Sequence, residues 1–102
     1  MPRIRSLAIV LLGLLLSSTA LAATILVKEF GPDKLTAVFV IGDLDAQDAA
    51  SFKNKVAPIS KAVVFLESGG GNLLTGIEVG ETIRLKGFAT AVAAQGTCAS
   101  AC

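Results

Sequence analysis

The chain has 102 residues, a formal net charge of +1 and 53% hydrophobic residues. This near-neutral charge provides no basic stripe for nucleic acid, and the absence of Trp and Tyr removes the usual base-stacking side chains. Two cysteines without any histidine do not form a convincing zinc site, and we expect no metal and no cofactor.

The first 22 residues have the pattern of a secretory signal. Arg3 and Arg5 supply the positive start, 7–16 is an apolar run, and Ala20-Leu21-Ala22 is the small-x-small pattern that precedes cleavage. The run is shorter than the about 20 residues of a standard membrane span. We expect cleavage before Ala23 and a periplasmic or secreted protein that meets the membrane only through this signal; an uncleaved N-terminal anchor is the alternative.

Residues 23–102 are expected to form the mature part of the protein. They number 80, with seven basic and eight acidic side chains, so they carry no polybasic membrane patch. Eighty residues can bury a small hydrophobic core. The segment contains neither an internal repeat nor a low-complexity linker, and we expect it to belong to one domain.

A hairpin is predicted at the start of this domain. Residues 24–27 and 35–41 are rich in strand formers, and the Gly-Pro-Asp sequence at 31–33 is a turn signal between them. Asp45 is suited to cap the N-terminus of a helix over 46–56.

The second half of the domain continues the alternation of strands and helices. Five consecutive apolar residues at 62–66 predict a strand buried on both faces, as in a parallel sheet. A helix should run from Asn72 to about Lys86, followed by a strand over 88–94 and the first turn of another helix. This order predicts an α/β fold. The helix should carry a polar stripe formed by Thr75, Glu78, Thr82 and Lys86.

Two turns rich in small residues, at 67–72 and 96–102, are the candidates for a functional site. Ser100 should lie in the first turn of a helix directly after a buried strand, where a nucleophile would be exposed. Unpaired N–H groups at such a helix start suit a developing oxyanion, with Ala101 as one donor. A glycine of the other turn, Gly70 or Gly71, can bring a second N–H close.

Each turn also has a simpler interpretation. One alternative for the glycines is a tight turn without a catalytic role, and another is an anion site of the phosphate-binding type. The segment completes neither phosphate-binding pattern, G-x-x-x-x-G-K-[ST] or G-x-G-x-x-G. Ser100 alone can be a helix cap or a small surface residue.

Together the two turns resemble those of a known family. The segment from Leu66 to Gly76 resembles the S-P-G-G-x-x-x-x-G motif of the Clp protease proteolytic subunit superfamily, and 96–101 is similar to its G-x-A-A-S-M turn. With the export signal, the chain resembles the predicted periplasmic Clp-like proteins, whose turn reads C-x-S-A-C. Over about 35–102 the resemblance implies the ClpP/crotonase β-β-α superhelix and a homo-oligomer. It also implies Ser100 as nucleophile, Gly70 and Ala101 as oxyanion donors, and a peptide substrate.

The sequence departs from this pattern in two ways. Gly69 stands where the family has proline, and the family's histidine and aspartate would lie beyond Cys102. We therefore expect an N-terminal piece of the domain, incomplete at its C-terminus and inactive alone, whose base comes from further sequence or another subunit. A Ser-Lys pair is the chemical alternative, with candidates Lys53, Lys55, Lys61 and Lys86.

Cys98 and Cys102 flank Ser100 at a spacing of four residues. Export would place them in an oxidising compartment where disulfides persist. A bridge between them is awkward within a regular helix, so pairing with downstream cysteines and two small buried thiols are the other interpretations.

Four interpretations of the chain remain open at this point. The first is an exported Clp-like serine hydrolase, and the second is a non-catalytic binding or assembly module of the same fold. A truncated product of a longer gene is the third. A crotonase-type acyl-CoA enzyme is weaker because secretion would separate it from CoA.

Overall fold

The computed structural model describes residues 22–32 and 35–102. The predicted signal lies outside the described residues except for Ala22, as does Asp33 of the predicted hairpin turn. Four strands and two helices follow in the order β1 (Thr24–Phe30), β2 (Leu35–Ile41), α1 (Asp48–Val56), β3 (Val63–Glu67), α2 (Leu73–Lys86) and β4 (Ala89–Ala91). The predicted α/β class is confirmed.

The four strands form one mixed sheet in the order β1-β2-β3-β4. β1 and β2 pair antiparallel from Thr24 opposite Ile41 to Phe30 opposite Leu35, which confirms the predicted hairpin. β3 is parallel to β2, and β4 is parallel to β3. The carboxyl ends of three strands therefore lie at the same edge of the sheet.

Both helices pack on one face of this sheet. Val38 and Val64 of the sheet are fully buried against Phe52 of α1 and Val79 of α2. Residues 75, 79 and 83 of α2 are the buried ones, four apart, as expected for one face of a helix. Burial of these apolar side chains stabilises the fold through the hydrophobic effect.

The other sheet face is only half covered. Phe39 and Phe65 stack there with ring centroids 5.2 Å apart, and both side chains are half-buried. Leu26 and Ile41 on the same face are exposed. The expectation that β3 is buried on both faces is therefore wrong, because the two described helices cover only the face of Val64.

Helix α1 begins two residues later than predicted, at Asp48, and Asp45 does not cap it. Asp48 is buried, and its Oδ2 accepts hydrogen bonds from the backbone N–H groups of Ala23 (3.0 Å) and Asp45 (2.6 Å). The carboxylate thereby ties the start of β1 to the start of α1. The N-cap predicted at Asp45 is therefore wrong, because the cap position is Gln47 and no side chain caps the helix.

Helix α2 is close to its predicted bounds. The Asn72 side chain accepts a hydrogen bond from the Thr75 N–H and caps the helix, and Gly87 ends it. The predicted polar stripe is wrong at Thr75, which is buried and donates from Oγ1 to the Asp45 carbonyl (2.9 Å). Leu73, Leu74 and Ile77 are exposed instead. No helix among the described residues is long and apolar enough to cross a bilayer.

The Asp48 contacts lead to a stability prediction. Asp48→Ala should lower the free energy of unfolding by about 1–3 kcal/mol, because two part-buried N–H groups lose their acceptor. Asp48→Asn should cost less, since its carbonyl can still accept. Chemical denaturation measures both, with exposed Lys53→Ala on the same helix as the control. Equal stability of Asp48→Ala and Lys53→Ala would contradict the assigned role.

Candidate functional site

The two turns singled out in the sequence meet at the carboxyl edge of the parallel strands. We call residues 68–72 the glycine turn and residues 96–102 the serine turn. The first follows β3, the second follows β4, and the loop after β2 lies beside the glycine turn through a bridge between Leu44 and Gly71. Ligand sites of α/β sheets occur at this edge.

The glycine turn is closed by its own serine. Buried Ser68 accepts at Oγ from the Gly70 N–H (3.0 Å) and donates from the same hydroxyl to the Gly70 carbonyl (3.2 Å). Gly70 has a φ of +113°, a backbone conformation that residues other than glycine rarely adopt. The Gly70 N–H, a predicted oxyanion donor, is therefore engaged within its own turn.

The loop after β2 anchors the glycine turn. The Leu44 N–H donates to the Gly70 carbonyl (2.7 Å), and the Asn72 N–H donates to the Leu44 carbonyl (2.9 Å). A Cβ on Gly71 would lie 2.8 Å from the Leu44 nitrogen, closer than real contacts allow. Gly71 is thus required by the close approach of two backbones.

The serine turn is attached to the end of β3. The Ser68 N–H donates to the Thr97 carbonyl (2.8 Å), and the Ala99 N–H donates to the Ser68 carbonyl (3.1 Å). These two bonds make Cys98 the parallel partner of Ser68. The attachment brings the predicted nucleophile turn against the predicted oxyanion turn.

Ser100 lies at the exposed tip of the serine turn. Its φ is +54°, the left-handed region, and it is the one residue other than glycine with positive φ in the described part of the chain. A disulfide joins Cys98 to Cys102, whose Cα atoms are 5.2 Å apart. The predicted helix start is therefore wrong: the left-handed residue interrupts helical geometry, and the chain forms a turn closed by the Cys102 N–H to the Ala99 carbonyl (3.0 Å).

Gly70 and Gly76 make room for the serine turn. A Cβ on Gly70 would lie 2.7 Å from the Ser100 Cβ and 3.1 Å from the Ala101 nitrogen. A Cβ on Gly76, in the first turns of α2, would overlap the Ala101 carbonyl oxygen. Any side chain at either glycine would push the serine turn away from the sheet edge.

Some backbone donors at this junction have no partner among the described residues. Neither the Ala101 N–H nor the Gly71 N–H makes a hydrogen bond there. Both belong to the turns that converge on Ser100. The Ala101 N–H directly follows Ser100, and a free N–H next to a hydroxyl suits the stabilisation of an oxyanion.

Within residues 22–32 and 35–102, no hydrogen bond joins the Ser100 hydroxyl to a base or to any other group. Lys55 donates from Nζ to the Ile25 carbonyl (2.9 Å), and Lys86 donates to the Ala57 carbonyl (3.0 Å). Gly76 contacts the serine turn, and Lys86 lies ten residues further along α2, about 15 Å away at the helical rise. These contacts place both lysines away from the serine.

The other two candidate lysines are no better placed. Lys61 precedes β3 and so lies at the opposite edge of the sheet from the serine turn. Lys53 is exposed on α1 and lines the groove between the two helices. Asp43 is an acidic residue near the glycine turn. A Cβ added to Gly69 would lie 3.4 Å from its Oδ1.

A cavity of about 230 Å³ lies beneath the junction of the two turns. Ser68, Ala101 and Cys102 are among the residues that line it, and Leu66, Val79 and Ile83 contribute to its apolar wall. No cluster of three metal-binding side chains occurs in the described part of the chain. The site therefore consists of a hydroxyl, backbone donors and an apolar wall.

Sequence reasoning missed two parts of this junction. Gly76 was noted only as part of the glycine motif, although its position three to four residues into a helix is a signal for close packing. Leu44, whose backbone anchors the glycine turn, has no sequence signal because its contacts involve only main-chain atoms.

No protein-family model, curated protein or solved structure matches this chain. The geometry of the two turns is therefore the basis for assigning a function.

The two helical glycines provide a matched pair of variants. Gly76→Ala should lower Tm and displace the serine turn, because the added methyl overlaps the Ala101 carbonyl. Gly80→Ala meets no atom within 4 Å and should raise stability by about 0.5–1 kcal/mol, the helix-propensity gain. Thermal melts followed by circular dichroism measure both. An unchanged or higher Tm of Gly76→Ala would show that Gly76 does not support the serine turn.

Proposed function

We propose that this chain carries the nucleophile and oxyanion half of an acyl-transfer site, as the N-terminal part of an exported serine hydrolase. The observation that carries the proposal is the contact of Ser100 and Ala101 with Gly70, held by the hydrogen bonds between Ser68 and the serine turn. A covalent mechanism needs an exposed hydroxyl beside backbone donors, and Ser100 is exposed at this junction.

In this mechanism the Ser100 oxygen attacks a carbonyl carbon and the carbonyl oxygen becomes negative. The Ala101 N–H then stabilises that oxygen, with the Gly71 N–H as the second free donor. Gly70, the donor that the family resemblance implies, could contribute its N–H only by leaving Ser68 Oγ or by sharing the proton with it. One such donor typically accounts for about 3 kcal/mol of transition-state stabilisation.

The proton of Ser100 needs a base that the 102 residues do not supply as histidine. Because Lys55 and Lys86 bind carbonyl groups elsewhere, a Ser-Lys pair gains no support from them. The base is therefore assigned to a residue outside these 102, in further sequence or another subunit. The chain alone should be inactive.

A peptide is the proposed substrate. The apolar wall of the cavity beneath the two turns suits an aliphatic side chain next to the bond that is cleaved. The order of strands, with an antiparallel hairpin followed by parallel crossovers, is compatible with the ClpP/crotonase β-β-α superhelix. Export through the signal at 1–22 and assembly into a homo-oligomer complete the proposal.

A non-catalytic binding or assembly module is the second candidate. The hydrogen bond from the Gly70 N–H to Ser68 Oγ favours it, because this bond closes the turn and occupies one implied oxyanion donor. In such a module the close packing of the two turns would only shape a surface.

Fluorophosphonate labelling with an added base separates the two candidates. Imidazole in solution should replace the missing base, since Ser100 is exposed, and should accelerate labelling of Ser100. We expect Ser100 to react about 100-fold faster than exposed Ser60, the size of effect that general-base and oxyanion assistance provide. Peptide mass spectrometry assigns the labelled serine.

Three variants control this labelling experiment. Ser100→Ala should remove the fast label, and Ser60→Ala should leave it unchanged. Gly70→Ala should slow it, because its methyl would displace Ser100. If Ser100 reacts no faster than Ser60 at any imidazole concentration, the hydrolase proposal fails and the binding module is favoured.

A further inference from the structure

The disulfide at the site encloses the serine itself. Cys98 and Cys102 are four residues apart, and Ser100 is the middle residue of the loop they close. The bridge therefore acts on the conformation of only three residues between its ends. Its effect is local to the serine turn.

Ser100 is in a conformation that serine alone does not favour. Left-handed backbone geometry places Cβ close to a neighbouring carbonyl in L-residues, and residues other than Gly, Asn and Asp adopt it mainly when surrounding structure imposes it. The φ of +54° at Ser100 therefore requires a restraint.

The restraints on the two halves of the serine turn differ. Before Ser100, the Thr97 carbonyl and the Ala99 N–H are hydrogen-bonded to Ser68 at the end of β3. After Ser100, the disulfide and the turn bond from the Cys102 N–H to the Ala99 carbonyl close the loop. The disulfide is thus the covalent restraint on the half that carries the Ala101 N–H.

The bridge is accessible to a reductant. Cys98 is exposed and Cys102 is half-buried. Bridges that close short loops contribute the least to global stability, and exposed bridges are the ones most readily reduced. Reduction should therefore change the serine turn without unfolding the sheet.

We propose that Cys98 and Cys102 are positioning residues: their disulfide holds Ser100 in the left-handed conformation against Gly70, and its reduction releases Ser100 and Ala101 from this position. The consequence for reactivity rests on the proposed function, whereas the conformational effect does not. The oxidised protein presents the hydroxyl and the Ala101 N–H together, and the reduced protein does not.

The switch is a thiol–disulfide exchange with a dithiol. One thiolate of the dithiol attacks a sulfur of the bridge, and a mixed disulfide forms as the S–S bond breaks. The second thiol of the dithiol then displaces the remaining protein sulfur. Two electrons and two protons pass to Cys98 and Cys102, and the dithiol is oxidised to a cyclic disulfide.

Dithiothreitol is the probe of this switch, applied to the ¹⁵N,¹³C-labelled full chain. Reduction should shift the Ser100 Cα and Cβ resonances away from left-handed values, and should shift the Gly70 and Ala101 amides. Resonances of Val38 and Val64 in the core should stay in place. Reoxidation should restore the original spectrum. An unchanged Ser100 conformation after complete reduction would overturn the proposal.

Reactivity is measured on the same samples. With imidazole present, reduction should slow fluorophosphonate labelling of Ser100 on the order of 10²-fold, the effect of a small misplacement of a reacting group. The double variant Cys98→Ser/Cys102→Ser should label at the slow rate with or without dithiothreitol. Equally fast labelling of Ser100 in the oxidised and the reduced protein would also count against the switch.

The two proposals fail in different ways. No fast label in either redox state, combined with the Ser100 resonance shifts on reduction, would remove the hydrolase function and leave the positioning role in place. Fast labelling at the same rate in both redox states would remove the positioning role and leave the hydrolase function in place. A far-UV circular dichroism spectrum that is unchanged on reduction shows that each reading comes from folded protein.

Discussion

The close approach of main chains around the glycine turn is the constraint on which this site depends. Gly70 contacts the serine turn, Gly71 contacts the backbone of Leu44, and Gly76 contacts the Ala101 carbonyl. In each case a methyl group would lie within 2.8 Å of another atom or overlap it. Because these contacts join the segments after β2, β3 and β4, the site and the edge of the sheet form one packed unit.

Two kinds of restraint act on Ser100: the hydrogen bonds of the serine turn and the disulfide that encloses it. The bridge to Ser68 positions the chain as far as Ala99, and a left-handed residue then turns it back toward α2. The disulfide compensates for the unfavourable backbone geometry at Ser100. Different interactions thus supply the stability of the fold and the geometry of the site. Apolar packing of Phe52, Val64 and their neighbours stabilises the fold. The local disulfide loop holds the geometry of the site.

The site combines features of an enzyme and of a binding surface. An exposed hydroxyl beside the free Ala101 N–H suits acyl transfer, whereas the engaged Gly70 N–H and the lack of a histidine do not complete it. A two-part active site explains both sets of observations, since binding geometry and proton transfer can come from different segments. In the proposed function, the apolar cavity next to Ala101 would place substrate specificity in the same half of the site as Ser100.

The sequence by itself determined the strands, the helices and the pairing of the two turns. Turn residues and apolar runs predict the hairpin, and Asn72 and Gly87 mark the ends of α2, because these signals are local. Only the tertiary structure decided that Asp48 binds the backbone of Ala23, that Thr75 is buried, and that Ser100 lies in a disulfide-closed turn instead of a helix. Each depends on backbone groups distant in sequence, or on a ring closure that overrides helical preference, and a local pattern contains neither.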